Sequence, residues 1–195
     1  LIAAAISLVD VEALRGLWRI SRVEFVFAMI ALFGPISLGV LNGVMVAIGA
    51  TFAYVLHKMM YPRDALLGRV PGRDGFYKLH HRADARPVPG LTIALIQGDL
   101  LFFNAEHVHA RLRAIADAMP ADTRWLVLDA SAITQVDSTA AAMLEEVRAE
   151  LADRGVAFGL AEVHAGVRDL LDRAGLIAAL GQDMIFEDLD DALRA

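Results

Sequence analysis

Side chains able to do chemistry are sparse in this chain: six histidines, scattered carboxylates and no cysteine. Without cysteine there are no disulfides, thiolate metal sites or cysteine nucleophiles. The densest constellation is Val127-Leu128-Asp129-Ala130-Ser131-Ala132-Ile133-Thr134-Gln135-Val136-Asp137-Ser138-Thr139, where an apolar run ends at Asp129 and a helical pattern opens at Ser138. Asp137 or Ser138 can cap that helix by accepting from the free N–H groups of its first turn. A phosphate on Thr139 would also lie in the first turn, where the helix dipole tolerates negative charge. Asp129, at a strand end, reads as an anchor for Ser131 or for backbone N–H groups in preference to a catalytic carboxylate. Asp129, Asp137, Ser138 and Thr139 are therefore the candidate regulatory residues, with capping the simpler role for the Asp137-Ser138 pair.

The histidines form no recognisable site. His107 and His109 are two apart on a helical pattern and diverge, so they cannot grip one metal from one face. His80 and His81 are adjacent and expected to point in different directions. The chain has no Gly-x-Ser-x-Gly, no P-loop and no dinucleotide fingerprint. Neither an enzyme nor a bound cofactor or metal is expected.

The elements around this loop divide the chain in two. Apolar residues make up 57% of it, with a mean hydropathy of +0.50, against roughly 45–50% apolar in ordinary soluble domains. Residues 25–56 carry no charge at all, whereas charges are dense from Arg63 onward. Net charge is −6 without a basic block, which argues against nucleic acid as a partner. The apolar start Leu1–Val9 lacks the basic region and cleavage site of a signal peptide, and is expected to be the end of a helix that begins upstream. Residues 10–24 are amphipathic, and Trp18 among Arg15, Arg19 and Arg22 suits a helix lying in lipid headgroups. Crossing a bilayer takes about 20 apolar residues. Proline at Gly34-Pro35 predicts two helices, Phe25–Phe33, too short to cross unaided, and Ile36–Leu56. Gly39-xxx-Gly43 and Gly49 permit close helix packing, and Asn42 is expected to make a packing hydrogen bond. His57, Lys58, Tyr61 and Arg63 close the second helix, and the positive-inside bias puts the residues beyond Lys58 on the cytoplasmic side.

Residues 59–90, rich in proline, glycine and charge, read as a linker with a short edge strand at Phe76–His80. Beyond them the pattern is α/β. A hairpin is predicted from Leu91–Ile96 and Leu100–Phe103 around Gln97-Gly98-Asp99. Helices follow at Ala105–Met119, Ser138–Arg154, Gly166–Ala174 and Asp188–Arg194, and strands at Trp125–Leu128, Val156–Leu160 and Met184–Phe186. Together they predict a small sheet with helices packed on it.

The loop ending Asp137-Ser138-Thr139 resembles the signature loop of STAS domains, which sulfate permease (SulP) transporters share with bacterial anti-sigma factor antagonists. The resemblance runs along the chain, through Gly68-Arg69-Val70-Pro71-Gly72, Leu100-Leu101-Phe102-Phe103-Asn104-Ala105-Glu106, Arg168-Asp169-Leu170-Leu171, Gly16-Leu17-Trp18-Arg19 and Leu38-Gly39-Val40-Leu41-Asn42-Gly43. It departs at Ala140, where the family often has glycine. Alanine favours helix by about 1 kcal/mol over glycine and should firm the helix start. The resemblance implies α-helical transmembrane segments followed by an α/β STAS domain. The expected layout is the end of a membrane domain over 1–58, a linker over 59–88 and a cytoplasmic STAS domain over 89–195. It implies part of a secondary active transporter of sulfate or another inorganic anion, in the inner (plasma) membrane, and the Ala- and Arg-rich composition points to a bacterium. Its partners would be the lipid bilayer, the transporter's upstream membrane domain, which would bind the anion, and a second copy in a homodimer. In anti-sigma antagonists the second hydroxyl residue after this aspartate is phosphorylated, which maps to Thr139. The alternative is thus a membrane-tethered regulatory module that exchanges partners on phosphorylation.

Overall fold

In the computed structural model, residues 11–195 are described; the expected helix end at 1–9 lies outside them. The chain divides into two compact units, Leu1–Lys58 and Met59–Ala195.

The first unit holds helices α1 (Val11–Ile20), α2 (Arg22–Leu38) and most of α3 (Val40–Met60). The amphipathic segment is interrupted at Ser21, whose extended backbone starts a new helix and whose hydroxyl accepts from Glu24 N. The predicted break at Gly34-Pro35 is corrected: α2 runs through Pro35 and stops at Gly39. Proline removes one backbone donor, and neighbouring structure can absorb that loss in an apolar helix. Gly39 adopts φ +81°, ψ 157°, a conformation open almost only to glycine, and this ends the helix. Asn42 donates to the Leu38 carbonyl at 3.1 Å, across that break.

The two helices run antiparallel. Phe27 of α2 meets Tyr54 of α3 edge to face at 5.3 Å between ring centres. A Cβ added to Gly43 would fall 2.2 Å from Pro35 N, so a bare backbone is what lets the helices touch there. Gly39 and Gly49 have no such neighbour, which leaves Gly43 as the packing glycine of the Gly39-xxx-Gly43 pair. No residue of α2 is buried, although its composition is almost wholly apolar. Among the described residues one helix, α3, is long and apolar enough to cross a membrane. The 17 residues of α2 reach about 25 Å at 1.5 Å each, short of a hydrocarbon core of about 30 Å.

The second unit is built on a mixed sheet in the order β2-β1-β3-β4-β5-β6. The strands are β1 (Arg63–Arg69), β2 (Phe76–Lys78), β3 (Leu91–Gln97), β4 (Trp125–Asp129), β5 (Ala157–Ala161) and β6 (Ile185–Phe186). Strands β3 to β6 are parallel, while β1 pairs antiparallel with β3 and β2. Between them come α4 (Ala105–Ala118), α5 (Ser138–Asp153), α6 (Ala165–Arg173) and α7 (Leu176–Leu180), and α8 (Leu189–Arg194) follows β6. One sheet face packs on α4 to α7 through Leu112, Leu128, Leu144, Leu160 and Leu171. The other carries Ile93, Val127 and Phe186 against Leu189 of α8. Glycine ends α5 and α6, Gly155 and Gly175 both having positive φ.

The sheet corrects three expectations. The segment read as a linker supplies β1, whose Ala65 and Leu67 are buried, so the sheet begins at Arg63. Its apolar core is short and framed by charges, which hid it. The hairpin after Leu91 is absent: β3 pairs instead with β1 and β4, and Leu100–Phe103 is a loop whose one bridge joins Leu100 to Val136 in the loop after β4. His80 and His81 do not diverge, since the turn there brings their rings to 4.4 Å.

Candidate functional site

Strand β4 carries the chain to Asp129, and the following loop returns it at Asp137 to the start of α5. Asp137 is in extended conformation and caps α5, its Oδ1 accepting from Ala140 N at 2.9 Å. Its other oxygen accepts from Phe102 N at 2.6 Å, 35 residues away. The 99–104 segment is laced along this loop. Leu100 N donates to Gln135 O, and Asp137 N donates to Leu100 O. Asp99 Oδ1 accepts from Thr134 N, Thr134 Oγ1 and Gln135 N at 2.7 to 3.0 Å. Asn104, 2% exposed, closes the segment. Its Oδ1 accepts from Leu101 N, and its Nδ2 donates to the carbonyls of Asp99 and Met59. Two carboxylates and one amide thus fix both walls of the loop.

Ser138 and Thr139 stand exposed at the start of α5. Among the described residues no side chain hydrogen-bonds to either hydroxyl, so nothing activates them as nucleophiles.

Asp129, 5% exposed, accepts from Ser131 N at 2.9 Å, the loop-anchoring geometry. His164 shares 2.9 Å with the Ser131 carbonyl. An open cavity of about 350 Å³ at this end of the sheet is lined by Asp129, Glu162, Asp188, Asp190 and Lys78. Glu162 has φ +56°. Partial burial, reinforced by Asp129 and Asp188, pushes its carboxyl above the usual glutamate range, and His164 opposes the shift. Among the described residues no group of three metal-binding side chains could hold an ion. His107 packs edge-on against Tyr61, whereas His109 turns to Glu150 of α5 at 3.2 Å.

A six-stranded mixed sheet with a capped loop after its central parallel strand is a specific arrangement, and the family model of the STAS domain matches residues 82–192. The chain belongs to the STAS domain family. Its likeness to curated proteins extends beyond the STAS domain to nearly the whole chain. A probable sulfate transporter of Mycobacterium tuberculosis is 34% identical over 192 residues, 98% of this chain and 34% of that protein. High affinity sulfate transporter 2 of Stylosanthes hamata is 30% identical over 201 residues, 99% of this chain and 30% of that protein. The chain therefore spans about a third of the length of these relatives. The murine solute carrier 26 family member A9 anion transporter, in its inward-facing state, shares the fold at a TM-score of 0.83 and 21% identity, over 96% of this chain and 30% of that one.

Within this STAS domain the sequence pointed to Asp129, Asp137, Ser138 and Thr139 as candidates and gave no sign of the residues that brace their loop. Asp99 was hidden in what read as a hairpin turn. Asn104 stands before a helix and looks like a cap, yet its side chain makes no cap bond to α4 and turns back to Leu101. Phe102 is 69% exposed beside the signature loop, where an isolated aromatic gives no periodic signal.

Proposed function

We propose that the chain is the C-terminal part of a secondary active transporter of sulfate or a related inorganic anion. The carrying observation is alignment of nearly the whole chain, helices and STAS domain alike, with sulfate transporters. In this reading residues 1–58 end the membrane domain, α3 crosses the bilayer, and the STAS domain lies on the cytoplasmic side of a bacterial inner membrane. Residues 59–88 both connect the parts and supply β1 and β2. The anion is bound by the upstream membrane domain, at half-helix N-termini of the kind such transporters use, and the assembly is a homodimer. The exposed apolar surface of α2 is what packing against lipid and upstream helices would cover.

The test is radiolabelled sulfate uptake by cells expressing the complete reading frame. Uptake is expected, with a severe loss when residues 63–195 are deleted. Liposomes holding only these 195 residues should show no flux, and flux there would overturn the assignment of the anion site to the upstream part.

The STAS loop reads as the regulatory element of that assembly. A phosphate on Thr139 would sit two residues from the Asp137 carboxylate, which already takes the first-turn N–H of Ala140 and the Phe102 N–H. Like-charge repulsion would press on this double cap. Phe102 N leads through the 99–104 segment to Asn104, and Asn104 holds the Met59 carbonyl in the last turn of α3. Phosphorylation would thus loosen the segment that grips the end of the membrane helix. The membrane-tethered module that exchanges partners at Thr139 would use the same exposed hydroxyl. Transport altered by Thr139→Glu and not by Thr139→Ala supports regulation within the transporter. A protein partner lost in Thr139→Glu with transport unchanged supports partner exchange.

A further inference from the structure

Resting on the reading of α3 as a membrane helix, the geometry points to a binding surface for anionic phospholipid on the α1–α2 corner. Antiparallel packing of α2 and α3 sets the levels. Phe27 meets Tyr54, so Arg22 and Lys58 each lie about one turn beyond that pair at the same end of the hairpin. Arg15 and Arg19 share one face of α1, four residues apart, and Arg22 opens α2 directly after the Ser21 break.

All four basic side chains are exposed. Among the described residues Arg15, Arg19 and Arg22 form no ion pair, although Glu12 and Glu24 are close in sequence. Arg22 instead lies over the Trp18 ring, 5.6 Å from its centre. Trp18 in turn meets Phe25 edge-on at 5.0 Å and is 50% exposed. Aromatic rings flanked by basic groups, at the end of an uncharged hairpin, match the chemistry of a bilayer interface. Unpaired guanidiniums match its phosphates by charge and by bidentate hydrogen bonding. The same end carries Lys58, which the positive-inside bias puts at the cytoplasmic leaflet, where anionic lipids concentrate. The occupant is therefore the phosphate headgroup of an inner-leaflet anionic lipid such as phosphatidylglycerol.

Trp18 can report its own lipid neighbours. The chain has two tryptophans, and Trp125→Phe leaves Trp18 as the emitter. The 195-residue chain is reconstituted in liposomes containing, at equal mole fraction, phosphatidylglycerol or phosphatidylcholine brominated in the acyl chain. One effective arginine contact corresponds to roughly fivefold local enrichment of the anionic lipid, so brominated phosphatidylglycerol should quench Trp18 distinctly more. Arg15→Gln, Arg19→Gln and Arg22→Gln combined should abolish the excess, and the triple lysine variant should retain most of it. Equal quenching by the two lipids, or an excess untouched by the glutamine variant, overturns the proposal and leaves the membrane reading standing. No quenching by either lipid overturns both.

Discussion

Replacing Asn104 with alanine removes three hydrogen bonds from a side chain that is almost fully enclosed: one from Leu101 N at 2.9 Å and two to the carbonyls of Asp99 and Met59 at 2.9 and 3.0 Å. Each bond contributes about 0.5–1.5 kcal/mol net, and a buried donor left without an acceptor costs about 1–3 kcal/mol. Leu101 N–H is that donor, being half-buried. The carbonyls tolerate the loss better, since each can take water where the loop opens. The sum is a destabilisation of about 3 kcal/mol, which for a unit of this size lowers Tm by roughly 10 °C. The measurement is thermal and urea unfolding in detergent, read by Trp125 fluorescence in a Trp18→Phe background. Hydrogen exchange should localise the effect, with the Leu101 and Phe102 amides exposed first. Asn104→Asp should do no better than alanine, because it keeps the acceptor for Leu101 and turns a carboxylate on two carbonyls. A loss under about 1 kcal/mol in Asn104→Ala, with Leu101 still protected, would refute the bracing role of this side chain.

Asp137→Ala should cost about 2 kcal/mol, combining a lost helix cap with a lost charge-assisted bond from Phe102 N. Asp137→Asn should lose roughly half of that in the same unfolding assay. Gly43→Leu should separate α2 from α3, because its Cβ would lie 2.2 Å from Pro35 N. Faster proteolysis at the Leu38–Val40 turn in detergent checks this, and unchanged proteolysis counts against the close contact. Glu162→Gln should raise Tm at pH 7. The folded carboxyl is held above its ordinary value of 4.5, so its charged form carries a penalty above that raised value. The penalty disappears as pH falls towards 4.5, and the gap between variant and parent should close over that window.

Much of this protein was legible from local rules. The uncharged run 25–56, the amphipathic segment around Trp18, helix α4, and helices α5 and α6 with their glycine stops each rest on periodicity or on a residue only one conformation suits. The Asp137-Ser138-Thr139 loop was legible for a similar reason, since an aspartate before a helix has one obvious use. Errors came where a local rule met a competing contact. Pro35 was expected to break a helix, but α2 runs through it with Gly43 packed close against it, and the break lies at Gly39. Gln97-Gly98-Asp99 has the composition of a hairpin turn, yet β1 and β4 flank β3, and Leu100–Phe103 has no free edge to pair with.

The sequence alone determined which segments are apolar, which are amphipathic, and that α5 and α6 stop at glycine, because those properties depend on a residue and its near neighbours. Only the tertiary structure decided that β1 enters the sheet from residues read as a linker. It alone brought Phe102 N to Asp137 across 35 residues and Asn104 to Met59 across 45. Hydrogen bonds over such distances leave no periodic trace in the chain, since their partners are neighbours only in the folded sheet and not along the sequence.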